Sequence, residues 1–181
     1  MYYTTTCPSP IGLITLACDR DGGSLVGLWI EGQKYHPDRT SITLAERDDL
    51  PIFDAAREWL ERYFSGERPK ALELPLAPVG SAFRRGVWDI LCEIPYGEVV
   101  TYGDIARKMA EKLNKQSMSG QAVGGAVGHN PISIIIPCHR VVGASGSLTG
   151  YSAGISVKTK LLELEGVDMS RLFVPAKGTA L

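Results

Sequence analysis

Hydrophobic and polar positions change rhythm along this chain. From residue 2 to residue 30 the apolar side chains come in short β-branched and aromatic runs, Tyr2 to Cys7, Ile11 to Ala17 and Ser24 to Ile30. Pro8-Ser9-Pro10 and Asp19-Arg20-Asp21-Gly22-Gly23 interrupt them, which predicts an antiparallel meander. Gly32 to Asp49 is polar and reads as loop. Pro51 then takes a first-turn position in a helix whose apolar residues recur at Ile52, Ala56, Trp59, Leu60 and Tyr63, with Gly66 placed to end it. That stripe predicts packing against the sheet.

Glu67 to Gly80 holds Pro69, Pro75, Pro78 and Gly80 with little periodicity, and reads as a connection between domains. Beyond it the period becomes helical. Ser81 can cap a helix carrying Phe83, Val87, Trp88 and Leu91, ended by Pro95-Tyr96-Gly97. Thr101-x-x-Asp104 is a capping-box-like start to a helix with Ile105, Ala106, Met109 and Ala110. A polar turn from Asn114 to Ser117 leads to a third helix from about Ser119 to His129. Helix, short turn, helix is the layout of DNA readers, and equally of helical hairpins that bind no nucleic acid. The third helix is Gly-rich, Gly120-Gln121-Ala122-Val123-Gly124-Gly125-Ala126-Val127-Gly128, and each Gly costs roughly 0.5–1 kcal/mol relative to Ala. Close helix–helix packing would offset that cost, and so would approach to an outside surface such as a narrow minor groove.

Composition narrows the picture. With 181 residues there is room for one large domain or two small ones, and 44% hydrophobic with 22% charged residues excludes a disordered chain. Apolar runs such as Ile132 to Ile136 are too short to span a bilayer, and Met1-Tyr2-Tyr3-Thr4 has no signal-peptide character. A cytoplasmic setting with no membrane contact is expected. The net charge of -1 argues against a protein that coats nucleic acid by bulk charge. Yet residues 1–80 carry 8 basic and 12 acidic side chains, net -4, and residues 81–181 carry 11 and 8, net +3. The sign changes at the expected domain boundary, 1–80 against 81–181. Cys7, Cys18, Cys92 and Cys138 lie 11, 74 and 46 residues apart, with no zinc-finger spacing, and are read as free thiols. Cys7, Cys18 and His36 make three members of a zinc set without an evident fourth, so neither metal nor cofactor is expected.

The candidate chemistry concentrates in Asn130-Pro131-Ile132-Ser133-Ile134-Ile135-Ile136-Pro137-Cys138-His139-Arg140-Val141-Val142. A stiff apolar run framed by prolines delivers a cysteine followed at once by His and Arg. A thiol becomes a nucleophile only as thiolate, which nearby cations favour. Adjacent residues on an extended chain point apart, so a water would relay the proton from Cys138 to His139, with a carboxylate behind His139 to orient it. A buried core cysteine beside two surface residues is the competing reading.

These residues resemble the O6-alkylguanine-DNA alkyltransferases, or methylated-DNA–protein-cysteine methyltransferases. The resemblance rests on Ile136-Pro137-Cys138-His139-Arg140-Val141, and on Ile94-Pro95-Tyr96-Gly97-Glu98-Val99-Val100-Thr101-Tyr102-Gly103. It extends to Ala122-Val123-Gly124-Gly125-Ala126, Gly128-x-Asn130-Pro131, Tyr151-Ser152-Ala153-Gly154 and Lys158-x-x-Leu161-Leu162-x-x-Glu165-Gly166. It implies an α+β protein: a small amino-terminal antiparallel sheet with a helix, ribonuclease-H-like, then a helical, winged-helix-like alkyltransferase domain with a helix-turn-helix. It implies a monomer that engages double-stranded DNA through the minor groove, flips out an alkylated guanine, and moves the alkyl group to Cys138 in one irreversible step. O4-alkylthymine is left open as a second substrate.

By position, the resemblance makes His139 the proton acceptor, Glu165 its support, and Asn130 the brace of the active-site turn. Tyr102 helps rotate the nucleotide and donates to the leaving base. The Val141 carbonyl reads the exocyclic amine, and Tyr151 and Ser152 close over the base. Gln121, Ala122, Gly124 and Gly125 meet the DNA. Gln121 departs from the pattern, since relatives place an arginine there to fill the gap left by the flipped nucleotide. Ala153 stands where many relatives have glycine. Two other readings remain. A non-catalytic damage sensor of the same fold would not need Cys138, His139 and Glu165 together. A cysteine hydrolase would need an oxyanion hole, for which no motif is evident.

Overall fold

The computed structural model describes residues 1–34 and 43–176. His36 lies outside them. Compact packing divides the chain into two units, Met1–Val79 with Pro131–Ile135, and Gly80–Asn130 with Ile136–Leu181. The division at residue 80 expected from charge and proline content leaves out the excursion of Pro131–Ile135.

In the first unit β1 (Tyr2–Cys7), β2 (Ile14–Cys18), β3 (Leu25–Ile30) and β4 (Leu44–Glu46) form one sheet in the order β3-β2-β1-β4. The β1–β2 and β2–β3 pairs are antiparallel, as the run-and-turn pattern predicts. The expectation of a purely antiparallel sheet is corrected by β4, which pairs parallel with β1, so the sheet is mixed. Three residues, none of them buried, are too few for alternation to be seen, and this hides β4 in the stretch read as loop. Helix α1 (Pro51–Phe64) starts at its proline and buries Ile52, Phe53, Ala56, Trp59, Leu60 and Tyr63. Trp59 belongs to that core: it stacks on Tyr63 at 5.5 Å and donates its indole N–H to the Lys70 carbonyl at 2.9 Å.

Two later segments complete the open edge of β3. The stretch read as a connection bonds to it, with Leu25 N–H donating to the Pro75 carbonyl at 2.9 Å and Ala77 N–H to the Leu25 carbonyl at 2.8 Å. Pro131–Ile135 follows, with Leu28 N–H on the Pro131 carbonyl at 2.9 Å and Ser133 N–H on the Leu28 carbonyl at 3.0 Å. The buried Ser133 hydroxyl donates to Gln33 Oε1 at 3.1 Å. These bonds satisfy backbone groups that an apolar run would otherwise leave buried without partners.

The second unit is mainly helical. Helices α2 (Ala82–Cys92), α3 (Tyr102–Lys112) and α4 (Gly120–Gly128) pack on one another, and α5 (Ile155–Leu164) follows. Ser81 caps α2, Ser119 caps α4, and Thr101 with Asp104 makes a complete capping box on α3. Trp88 ties α2 to α4 by donating to the Ala126 carbonyl at 2.9 Å. Two short strands, β5 (Val100–Thr101) and β6 (Val141–Val142), pair in parallel. That pairing brings the start of α3 beside the Cys138 turn.

Candidate active site

Cys138–Arg140 forms a single 3-10 turn rather than the extended chain assumed from sequence. Three residues per turn still send neighbouring side chains in different directions. Asn130, just past α4, fixes the entry to this turn. Its amide Nδ2 donates to the Ile136 carbonyl at 2.8 Å and to Cys138 Sγ at 3.1 Å. The sulfur thus has a donor aimed at it, which favours the thiolate. Burial works in the other direction and dominates: Cys138, only 4% exposed, has its thiol pKa raised, against the opposing pull of Asn130 and the Lys158 ammonium. The resting group is therefore a thiol that needs a base.

A candidate base stands next in the chain. His139 is fully buried, and its Nε2 lies 2.6 Å from Glu165 Oε1. Burial lowers the His139 pKa, and Glu165 only partly restores it. Glu165 follows the last turn of α5, where Gly166 at φ +73° ends the helix. Burial alone would raise its carboxyl, but the hydrogen bonds and charges of His139 and Arg140 outweigh that and hold it well below the usual carboxylate range. Arg140 donates from Nε to Oε2 at 2.8 Å and from NH2 to Oε1 at 3.0 Å. The Gly97 N–H adds a bond to Oε2 at 3.1 Å. An ionised Glu165 makes His139 the donor through Nε2, so the lone pair of the neutral ring sits on Nδ1.

The start of α3, the loop before α5 and α5 itself supply further polar side chains near the Cys138 turn. Tyr102, first residue of α3, donates its hydroxyl to the Thr149 carbonyl at 3.3 Å, and burial pushes its pKa up to about 12. Lys158, on the buried face of α5, donates to the same carbonyl at 3.0 Å and to the Val141 carbonyl. Burial lowers the Lys158 pKa to about 8, with the nearby Cys138 opposing. Tyr151 stands edge-on to the His139 ring at 6.4 Å, and its buried hydroxyl finds no hydrogen-bond partner among the described residues. Ser152 is buried beside it.

Cys138, His139, Glu165 and Asn130 therefore meet in one cluster, with Tyr151 against it and Tyr102 linked to it through Thr149 and Lys158. The α4 residues take no part in those bonds. Gln121 and Ala122 are exposed, Gly125 is half-buried, and Gly124 is buried. A Cβ placed on Gly120, Gly125 or Gly128 would meet nothing within 4 Å. Close packing inside the protein is thus not what these three glycines serve.

Two functional candidates escaped sequence reasoning. The sequence shows Arg140 only as a cation near the thiol, and its bidentate grip on Glu165 appears only in the fold. Lys158 carried a readable signal: it shares the 158-161-162-165 face with Leu161 and Leu162, and a lysine on a buried helical face requires partners. Among the described residues no group of three His, Cys, Asp or Glu is placed to hold a metal ion. No described helix is long and apolar enough to cross a membrane.

Comparisons with known proteins agree across the chain. Residues 1–78 match the model of the 6-O-methylguanine DNA methyltransferase, ribonuclease-like domain, and residues 82–167 match the DNA binding domain of the same family. A methylated-DNA–protein-cysteine methyltransferase of Haemophilus influenzae is 41% identical over 165 residues, covering 91% of this chain and 87% of the relative. One from Methanosarcina acetivorans is 43% identical over 166 residues, covering 92% and 99%. A crystal structure of Mycobacterium tuberculosis OGT in complex with DNA superposes with a TM-score of 0.79 at 42% identity, covering 94% of each chain. With both domain models matched in order and relatives above 40% identity over nearly the whole length, this chain belongs to the 6-O-methylguanine DNA methyltransferase family.

Proposed function

We propose that this protein repairs O6-alkylguanine in DNA by moving the alkyl group to Cys138, once per molecule. The observation that carries the reading is the buried thiol with an amide donor on its sulfur, followed by a His–Glu pair whose acid is locked as a carboxylate. In the proposed step the Cys138 proton passes through a water to His139 Nδ1. The thiolate sulfur then bonds to the alkyl carbon as the carbon–O6 bond breaks. The electron pair leaves with guanine, and a returning proton restores its keto form. The product is a thioether with no easy leaving group, so the protein is consumed.

Residues 1–80 act as scaffold and residues 81–181 as the DNA-reading domain in this proposal. The exposed, small-residue face of α4 favours approach to a surface outside the protein, and the minor groove of double-stranded DNA is the surface we assign, with Gln121, Ala122 and Gly125 at the contact and Gly124 beneath them. Flipping costs a few kcal/mol, less for a poorly paired alkylated base. Tyr102 guides the nucleotide and protonates the leaving base, a role its high pKa suits since the hydroxyl keeps its proton at neutral pH. The Val141 carbonyl keeps one lone pair beyond its Lys158 bond, which the exocyclic amine of guanine can use. Tyr151 and Ser152 close over the base, and the protein works as a cytoplasmic monomer.

Stoichiometry tests the reading. Mixed with excess duplex containing O6-methylguanine, the protein should release one repaired guanine per molecule and stop. Repair continuing past one equivalent, as a hydrolase would give, contradicts it, as does binding of the duplex with no repair, as a sensor would give.

A further inference from the structure

Glu165 is crowded with donors. Oε1 accepts from His139 Nε2 and Arg140 NH2, and Oε2 from Arg140 Nε and the Gly97 N–H. A carboxylate offers about four lone-pair sites, and here all four are taken. Four donors on one carboxylate hold Glu165 ionised and spread its charge over His139, Arg140 and the Gly97 N–H. Arg140 is itself immobilised: NH1 donates to the Ile94 carbonyl at 2.6 Å, and its guanidinium carbon lies 5.7 Å from the centre of the Tyr96 ring.

We propose that Arg140 is a positioning residue for alkyl transfer, whose two-pronged hold on Glu165 adds to burial in keeping His139 neutral with its proton on Nε2. If Glu165 served His139 alone, its full charge would stabilise the imidazolium. A histidine that is already protonated cannot accept the thiol proton. With Arg140 in place, the carboxylate still orients the ring through one hydrogen bond while most of its charge is met by the guanidinium. The groups facing His139 fall into two sets. Glu165, at the end of α5, favours a proton on the ring. Arg140, in the same turn, and Lys158, on α5, oppose it. The thiol of Cys138 and the ring of Tyr151 adjoin it uncharged at neutral pH. The turn Pro95-Tyr96-Gly97 joins the device, since a Cβ on Gly97 (φ +81°) would stand 2.9 Å from the Glu165 carbonyl oxygen, so only glycine brings this N–H so close.

This inference rests on the alkyl-transfer reading. The test is the single-turnover rate of methyl transfer to Cys138 from duplex O6-methylguanine, followed from about pH 5 to about pH 9. The parent, Arg140→Lys and Arg140→Gln are compared. Loss of the cation in Arg140→Gln should raise the midpoint of the acid limb by roughly one pH unit, and Arg140→Lys should stay within roughly a third of a unit of the parent. A purely structural role would reduce the active fraction and leave all three midpoints equal, which overturns the proposal. Should Arg140→Gln not fold, nitrogen-15 shifts of the His139 ring in the parent decide. A neutral Nε2–H ring at pH 7 supports the proposal, and an imidazolium there overturns it. A parent that transfers no methyl at any pH removes the repair reading instead, and the ring shifts still judge the hold of Arg140 on His139.

Discussion

Replacing Glu165 by glutamine isolates the charge at the centre of the cluster. The volume is conserved, but the four donors now face an amide with one acceptor oxygen and two hydrogens of its own. Two of the bonds from His139, Arg140 and Gly97 must be lost or reversed into donor–donor contacts. Arg140, only 8% exposed, is left without a counter-charge. Removing one partner of a buried ion pair costs about 3–5 kcal/mol, a large part of the roughly 5–15 kcal/mol that holds a typical domain together. With a urea slope of about 2 kcal/mol/M, the unfolding midpoint should fall by roughly 2 M. The pH dependence supplies an internal control. Glu165 has a folded pKa held below its unfolded value of about 4.3, so its stabilisation is complete above that value and is lost as pH falls from there toward the folded pKa. The parent should therefore lose part of its advantage over Glu165→Gln on acidification below about pH 4. A midpoint change under about 0.5 M at neutral pH, or a gap between the two proteins that does not narrow in acid, would refute the account of Glu165 as the shared anion of the site.

Three further outcomes are expected. Gly125→Ala should stabilise α4 by about 0.5–1 kcal/mol in thermal unfolding, because its Cβ meets open space, yet weaken duplex binding; unchanged DNA affinity would remove α4 from the interface. Gln121→Arg should make repair faster at low salt and steepen its salt dependence by about one phosphate contact, measured at two salt concentrations; equal rates in both proteins would sink the idea that the missing cation matters. Lys158→Met removes an ammonium with a folded pKa of about 8 against about 10.4 unfolded, so between those values the unfolded chain holds more protons and parent stability rises with pH. The variant should lack that rise in urea unfolding between about pH 8 and about pH 10, and an identical slope in both would contradict the buried-ammonium assignment.

Much of this molecule is legible because local physics and tertiary context agree. Capping residues Ser81, Thr101 with Asp104, and Ser119 announce α2, α3 and α4, and the proline at 51 announces α1. Where a signal depends on partners distant in sequence, it fades. Strand β4 exists because Tyr2 N–H finds the Thr43 carbonyl and Arg47 N–H the Thr4 carbonyl, contacts invisible from a three-residue segment. The excursion of Pro131–Ile135 to the edge of β3 likewise depends on Gln33, a hundred positions from Ser133. The glycines of α4 show the opposite limit. Their cost was evident from composition, but the choice between inner packing and an outer surface required the open space beside Gly120, Gly125 and Gly128. At the site, Cys138, His139 and Glu165 stood out through a short signature, whereas Arg140 and Lys158 gain meaning only when the carboxylate and carbonyls they grip are in place.

The central claim is that one thiol among four, Cys138, receives the alkyl group. After incubation with duplex O6-methylguanine, the intact mass should rise by one methyl group in place of a hydrogen, and fragmentation should put it on Cys138 and not on Cys7, Cys18 or Cys92. The neighbouring chemistry favours that choice, since Cys7 and Cys18 have raised thiol pKa values with no adjacent base among the bonds described, and burial pushes Cys92 up to about 11. A mass that stays unchanged while the duplex binds, or a methyl group found on any other cysteine, would contradict the account.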